Sequence, residues 1–94
     1  MNNYEAMFIL RPDLAEEEKK ALFNQLAEAI SKNNGSVSNV SVWAERRKLI
    51  FPIRKHHEGL YYLMNFAAPP AAIQEARQAY KLNENILRVL ITRM

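Results

Sequence analysis

The sequence contains no cysteine, only two glycines and no long apolar run. The absence of cysteine excludes disulfides, thiolate metal sites and cysteine catalysis, and it fits a reducing compartment such as the cytoplasm. Gly35 and Gly59 are too few for a glycine-rich phosphate loop. No stretch approaches the roughly 18 apolar residues of a membrane span, and residues 1–5 do not resemble a signal peptide. We therefore expect a cytoplasmic protein with no membrane partner.

Sets of catalytic or metal-binding residues are missing as well. No Ser/His/Asp set and no carboxylate pair in an apolar setting is visible. The adjacent His56 and His57 should point apart in a turn, and no third ligand stands at a suitable spacing, so they predict a polar turn. These observations predict a protein that is not an enzyme, uses no cofactor or metal and has no small-molecule substrate.

Charge is spread unevenly along the 94 residues, which are few enough for one domain. The formal net charge is +3, which is mild for a protein that binds nucleic acid through charge alone. Acidic residues dominate 13–32, whereas basic residues and histidines gather at 46–57: Arg46, Arg47, Lys48, Arg54, Lys55, His56 and His57. Apolar residues interleave with these cations, which suits phosphate contact and stacking. An edge strand that Lys and Arg protect from aggregation has the same composition.

Hydrophobic periodicity divides the chain into four strands and two helices. Strands are predicted over 4–10, 36–53, 59–67 and 86–92, the second being long and irregular with Pro52 at an edge or bulge. Residues 54–58 are predicted to form a charged turn. The first helix should run from an N-cap at Asp13 to about Lys32, and the second should begin at Pro69-Pro70. The order βαββαβ predicts an α+β, ferredoxin-like sandwich, with a four-stranded antiparallel sheet and both helices on one face.

Side-chain parity predicts what lies on the sheet face away from the helices, here called the open face. Alternate strand residues turn inward, so that Phe8 and Tyr62 belong to the core. The open face then carries Met7, Ile9, Tyr61, Leu63 and Leu90 together with Glu5, Asn65 and Arg88. An apolar area rimmed by polar groups suggests a binding partner.

Two further segments allow an RNA-binding interpretation. Residues 58–63 compare poorly with the third strand of the RNA-recognition motif, because Glu58 stands at the cation position and Asn65 where an aromatic is expected. Core and interface tyrosines are favoured over a stacking platform. Lys81 and Arg88 flank a polar loop, which fits a second RNA contact and a plain helix exit equally well.

A resemblance to a known family extends over residues 4–93 and is most specific in the middle. The residues that carry it are Trp43, then Arg47-Lys48-Leu49-Ile50-Phe51-Pro52-Ile53, Lys55 and Tyr61-Tyr62-Leu63-Met64-Asn65-Phe66. They are similar to the Trp-led basic strand and the Tyr-rich strand of the family of the sixth bacterial small-subunit ribosomal protein. The chain departs from that family's pattern at Asn2 and Asn3, where basic residues are frequent, and by an extra Glu45 that suggests a shifted bulge.

The resemblance implies a structural protein that pairs with the eighteenth small-subunit ribosomal protein and, as that heterodimer, binds the central domain of small-subunit ribosomal RNA. Together with the open face, it gives a partner-facing set of Met7, Ile9, Phe51, Tyr61, Leu63 and Leu90. The RNA-facing candidates are Arg46, Arg47, Lys55, Lys81, Arg88 and Arg93. Two alternatives stay open: a stand-alone single-strand RNA-binding module that uses Tyr61 as a stacking platform, and a small enzyme or effector-binding module on the same fold.

Overall fold

Four strands and two helices follow one another in the predicted order in the computed structural model, which describes residues 1–94. The strands are β1 (Asn2–Leu10), β2 (Ser36–Ile53), β3 (His56–Ala68) and β4 (Ile86–Arg93), and the helices are α1 (Glu16–Ser31) and α2 (Pro70–Lys81). The strands form one antiparallel sheet in the order β2-β3-β1-β4, so the predicted ferredoxin-like arrangement is confirmed. Neither helix is long and apolar enough to cross a membrane.

The core lies between the helices and one face of the sheet, because every second side chain of β1 and β3 is apolar and points that way. Phe8 contacts Tyr80 of α2 edge-to-face at 5.0 Å between ring centroids, and Phe23 of α1 stacks on Tyr62 at 4.2 Å. The buried strand residues of β1 and β3 include Ala6, Phe8, Leu10, Tyr62, Met64 and Phe66. The predicted inward set is therefore confirmed for these two strands.

The predicted start of α1 is wrong. The helix begins at Glu16 with Ala15 as its N-cap, two residues beyond the predicted cap at Asp13. The side chain of Glu18 accepts a hydrogen bond from the Ala15 backbone N–H at 3.0 Å, which satisfies a helix-end donor without a polar cap residue. Asp13 instead turns back toward Arg11, whose Nη2 donates to its Oδ2 at 3.4 Å. A hydrogen bond to its own backbone and the Arg11 guanidinium lower the pKa of the Asp13 carboxyl.

The turn between β2 and β3 is shorter than predicted. Ile53 pairs directly with His56, so only Arg54 and Lys55 form the turn, and β3 begins three residues before the predicted Gly59. Both turn residues have positive φ, 49° and 69°, as a two-residue hairpin of the primed type requires. Asn and Gly usually stand there, and a non-glycine residue in this conformation costs roughly 1–2 kcal/mol. The sequence gave no turn signal of that kind, which explains the wrong boundary.

Strand β2 is an irregular edge strand, as predicted. Residues 36–53 of β2 lie along residues 56–67 of β3, so the longer strand must bulge, and the pairing register shifts at four places. One shift falls between Ala44 and Arg47, next to the extra Glu45 noted in the sequence. The largest falls between Lys48 and Ile53, where residues 49–52 have a single residue of β3 opposite them. Pro52, which has no N–H to donate, lies in this bulge.

Candidate nucleic-acid and protein interface

Three rows of side chains cross the open face, because β1 pairs in register with both β3 and β4. In order β3, β1 and β4, the rows are Asn65, Glu5 and Thr92; Leu63, Met7 and Leu90; and Tyr61, Ile9 and Arg88. The middle row is wholly apolar, and the third row is apolar as far as Arg88. The open face is therefore an apolar strip with polar groups on one side and a cation at its corner.

The bulge of β2 closes one end of this strip by folding onto Gly59. A Cβ atom at Gly59 would lie 2.5 Å from Cγ2 of Ile9 and 3.5 Å from Cδ2 of Leu49, so only glycine lets both side chains pack onto the backbone there. Leu49 is consequently buried although it belongs to an edge strand. The sequence analysis treated Gly59 as a strand boundary and missed its part in shaping the open face.

Beyond Leu49, the bulge holds two of the most exposed apolar side chains of the protein, Ile50 at 92% exposure and Phe51 at 77%. Together with the open face they form a groove of about 220 Å³ that is lined by Ile9, Leu49, Ile50, Phe51, Ile53, Tyr61 and Arg88. The groove adjoins the row that contains Met7, Leu63 and Leu90. All six residues of the predicted partner-facing set thus lie on one continuous surface, here called the apolar surface.

The basic residues of β2 lie at the border of the apolar surface. The Arg47 guanidinium lies over the ring of Tyr61, 5.4 Å from its centroid. Arg46 turns to β3 instead, where its Nη1 donates to Oε1 of Glu58 at 3.0 Å. Of these two neighbours, Arg46 has a carboxylate partner and Arg47 has none, so Arg47 is the better placed to contact an anion.

The other predicted RNA-facing residues fall into separate places. Lys55 lies in the hairpin turn and Arg88 in the apolar groove, while Lys81 lines a cleft at the end of the sheet. Arg93 pairs with Tyr4 at the far end of β4, about 16 Å along the strand from Arg88, and its Nη2 donates to Oδ1 of Asn2 at 3.4 Å. The structure therefore does not bring Arg93 together with the rest of the predicted set.

Aromatic side chains are almost absent from the part of the open face that β1, β3 and β4 form. Tyr61 is there, but Tyr4, Phe8, Tyr62 and Phe66 of the same strands are all buried in the core. Burial raises the pKa of the Tyr62 phenol, in keeping with a core position. An RNA-recognition motif needs two or three stacking aromatics on this face, so the geometry favours the interface interpretation of Tyr61.

Comparison with known proteins agrees with these observations over nearly the whole chain. The family model described as ribosomal protein S6 matches residues 3–93. The small ribosomal subunit protein bS6 of Caldanaerobacter subterraneus subsp. tengcongensis is 41% identical over 93 residues, which cover 99% of this chain and 97% of that protein. Its counterpart in Thermoanaerobacter pseudethanolicus is 43% identical, with the same coverage of both chains.

Solved structures are similar in the same way. The crystal structure of 30S ribosomal protein S6 from Thermotoga maritima superposes with a TM-score of 0.90 at 29% identity, covering 99% of this chain and 87% of that one. The C-terminal domain of MgtC from Mycobacterium tuberculosis superposes with a TM-score of 0.67 at only 9% identity, a likeness of fold alone. The family match and the full-length identity show that the chain belongs to the ribosomal protein S6 family, a family of structural, non-enzymatic small-subunit ribosomal proteins.

Proposed function

We propose that this chain is a structural component of the small ribosomal subunit that binds the central domain of small-subunit ribosomal RNA as a heterodimer with the eighteenth small-subunit protein. It acts in the cytoplasm, on the ribosome. The observation that carries the proposal is the apolar surface with unpaired cations at its border. Such a surface fits a complex in which a protein and an RNA backbone meet at one site.

The apolar surface supports a protein partner. Ile50, Phe51 and Leu90 expose most of their side chains, and burying one such side chain against a partner is worth roughly 1.5–3 kcal/mol. Phe51 and Tyr61 are aromatic residues at the centre of the groove, the position where binding hot spots concentrate. Glu5 and Asn65 add a polar rim, and the Oδ1 atom of Asn65 is buried without a hydrogen-bond partner. A partner donor at that position would satisfy it.

The charge of the chain supports a shared RNA site. The net charge is +3, and Arg46 is already paired with Glu58. Each phosphate contact contributes about 0.7–0.9 to the salt slope of RNA binding, so a few contacts give weak and strongly salt-dependent affinity. The chain alone should therefore bind RNA weakly, and a partner that buries the apolar surface should add the missing affinity.

A gel shift with central-domain RNA tests this function. The isolated chain, the isolated partner and the mixture are compared on that RNA and on an unrelated RNA of equal length. We expect a stable complex only with the mixture and only on the central-domain RNA. Equal binding to the unrelated RNA, with no help from the partner, would refute the proposal.

A further inference from the structure

Four basic side chains from four different segments meet at one end of the sheet. The end of β1, the β2–β3 turn and the α2–β4 connection all lie there, because the strands that they join or follow are antiparallel neighbours. Between them is a cleft of about 440 Å³ that is lined by Arg11, Arg54, His56, Lys81, Glu84 and Leu87. This set of six residues is called the basic cleft below.

Hydrogen bonds to the α2–β4 connection hold the two arginines in the basic cleft. The backbone N–H of Arg11 donates to the Asn85 carbonyl at 3.0 Å, and its Nη1 donates to Oδ1 of the same asparagine at 3.5 Å. Arg54 reaches the same connection from the hairpin turn, where its Nη1 donates to the Glu84 carbonyl at 3.4 Å. The cleft is thus assembled by contacts that link segments far apart in the chain.

The cations of the cleft are poorly matched by acids. Arg54 bonds only a backbone carbonyl, and the side chains of Lys81 and His56 take part in no ion pair. Arg11 has a carboxylate neighbour, Asp13 at 3.4 Å, but its Nε is buried without a partner. Glu84 is the sole acid in the lining, so three full positive charges face one negative charge.

Lysines elsewhere in this chain behave differently. On α1, Lys19 lies 3.3 Å from Glu16 and Lys32 lies 3.0 Å from Glu28, as expected of cations that stabilise a helix surface. In the basic cleft the cations face one another instead. That arrangement is unfavourable until an anion lies between them, and guanidinium forks, an ammonium and an imidazole N–H are the donors that suit a phosphate.

We propose that the basic cleft binds one phosphate group, and that its source is the phosphodiester backbone of RNA. The choice of RNA as the source rests on the proposed function, whereas binding of the phosphate group itself does not. The sequence analysis named only Lys81 among these donors. The cleft adds Arg11, Arg54 and His56, and it lies apart from the apolar surface, so an RNA strand could be held there while the partner covers the groove.

Inorganic phosphate tests the site directly. In an amide NMR titration of the full chain, we expect saturating shifts at residues 11, 54–56 and 81–87. Lys81→Gln and Arg54→Asn should each weaken phosphate binding at least about tenfold, the loss expected for one charge-assisted hydrogen bond. Asn suits the positive φ at residue 54, so that variant keeps the turn. Arg77→Gln is the matched control, since it removes the same charge from an exposed position of α2 outside the cleft.

The control decides between a site and general attraction. If Arg77→Gln weakens phosphate binding as much as Lys81→Gln, or if shifts spread over all basic residues, the basic cleft is not a site and the inference is wrong. The same variants are then compared in the gel shift with the heterodimer. Lys81→Gln should lower the salt slope by about 0.7–0.9 relative to Arg77→Gln.

The two assays separate the two proposals. Phosphate binding in the cleft without any RNA binding by the heterodimer would support the phosphate site, with free phosphate as its ligand, and would contradict both the RNA source and the proposed function. RNA binding that is equally strong in Lys81→Gln, Arg54→Asn and Arg77→Gln would support the proposed function and overturn the inference about the cleft.

Discussion

The guanidinium of Arg47 lies 5.4 Å from the centroid of the Tyr61 ring, so a residue predicted to face RNA and a residue predicted to face a protein partner touch each other. Such a cation–π contact is worth about 0.5–1 kcal/mol at an exposed site, and more once water is excluded. A partner that covers Tyr61 therefore also fixes the position of Arg47. Protein and RNA binding are coupled by this contact.

Tyr61→Ala should weaken heterodimer formation about 10- to 100-fold, because it removes an aromatic side chain from the groove and the support beneath Arg47. Calorimetric titration with the partner measures this change. Tyr61→Phe keeps the ring and should stay within about threefold of the unchanged chain, since a cation–π contact needs the ring and not the hydroxyl. A collapse of RNA binding by the isolated Tyr61→Ala chain, at unchanged partner affinity, would instead support the stand-alone RNA-binding module.

Phe51→Ser should weaken partner binding by about 2 kcal/mol while the free energy of unfolding changes by less than about 0.5 kcal/mol, because the side chain is 77% exposed. The matched control is Leu82→Ser, which removes an apolar side chain that is 84% exposed and lies outside the apolar surface. We expect the control to bind the partner normally. Equal losses in both variants would show that exposed apolar residues act without regard to position.

Gly59→Ala should destabilise the chain by roughly 1 kcal/mol, since the new Cβ would lie 2.5 Å from Cγ2 of Ile9. The substitution should be neutral or stabilising in an Ile9→Ala background, where that atom is gone and alanine is the better strand residue. Urea unfolding of the four chains gives the coupling energy. A coupling energy near zero would mean that Gly59 does not shape the open face.

Tyr80→Phe should lower the free energy of unfolding at neutral pH by about 1 kcal/mol, because the buried hydroxyl donates to the Leu26 carbonyl at 2.6 Å and so joins the two helices. Thermal and urea unfolding measure the loss. Ala76→Gly, a buried change on the same helix that touches no hydrogen bond of a side chain, shows how much any core substitution costs.

The same tyrosine predicts how stability depends on alkaline pH. Burial raises the pKa of Tyr80 above its ordinary value of 10.0, so above pH 10 the unfolded chain loses this proton more readily than the folded chain. Stability is therefore complete below pH 10 and falls as the pH rises beyond it, by up to about 1.4 kcal/mol per pH unit for one such group. Tyr80→Phe should reduce this slope, and Tyr62, whose pKa is raised in the same direction, should maintain part of it. An unchanged slope would contradict the assignment.

The fold was predictable because its signals are local and periodic. Alternation along β1 and β3 identified Phe8 and Tyr62 as core residues, and the structure buries both. The errors lie where one polar residue had two possible partners. Asp13 has the side chain of an N-cap, yet it contacts Arg11, and the helix begins later with Glu18 supplying the bond.

The sites were less predictable, because they depend on residues that only the fold brings together. The apolar surface could be listed from parity and family resemblance, but the burial of Leu49 on Gly59 follows from a bulge whose register no local pattern specifies. The basic cleft joins Arg11 to Lys81, 70 positions later. A signal did exist, since the βαββαβ topology puts their two segments at the same end of the sheet.

Salt-dependent binding to central-domain RNA, measured for the isolated chain and for its mixture with the eighteenth small-subunit protein, tests the account most directly. The account predicts weak binding by the chain alone, and tight binding by the mixture with a steeper slope of log K against log salt, about 0.7–0.9 for each added phosphate contact. Equal affinity and equal slope with and without the partner would contradict the claim that RNA binding is shared.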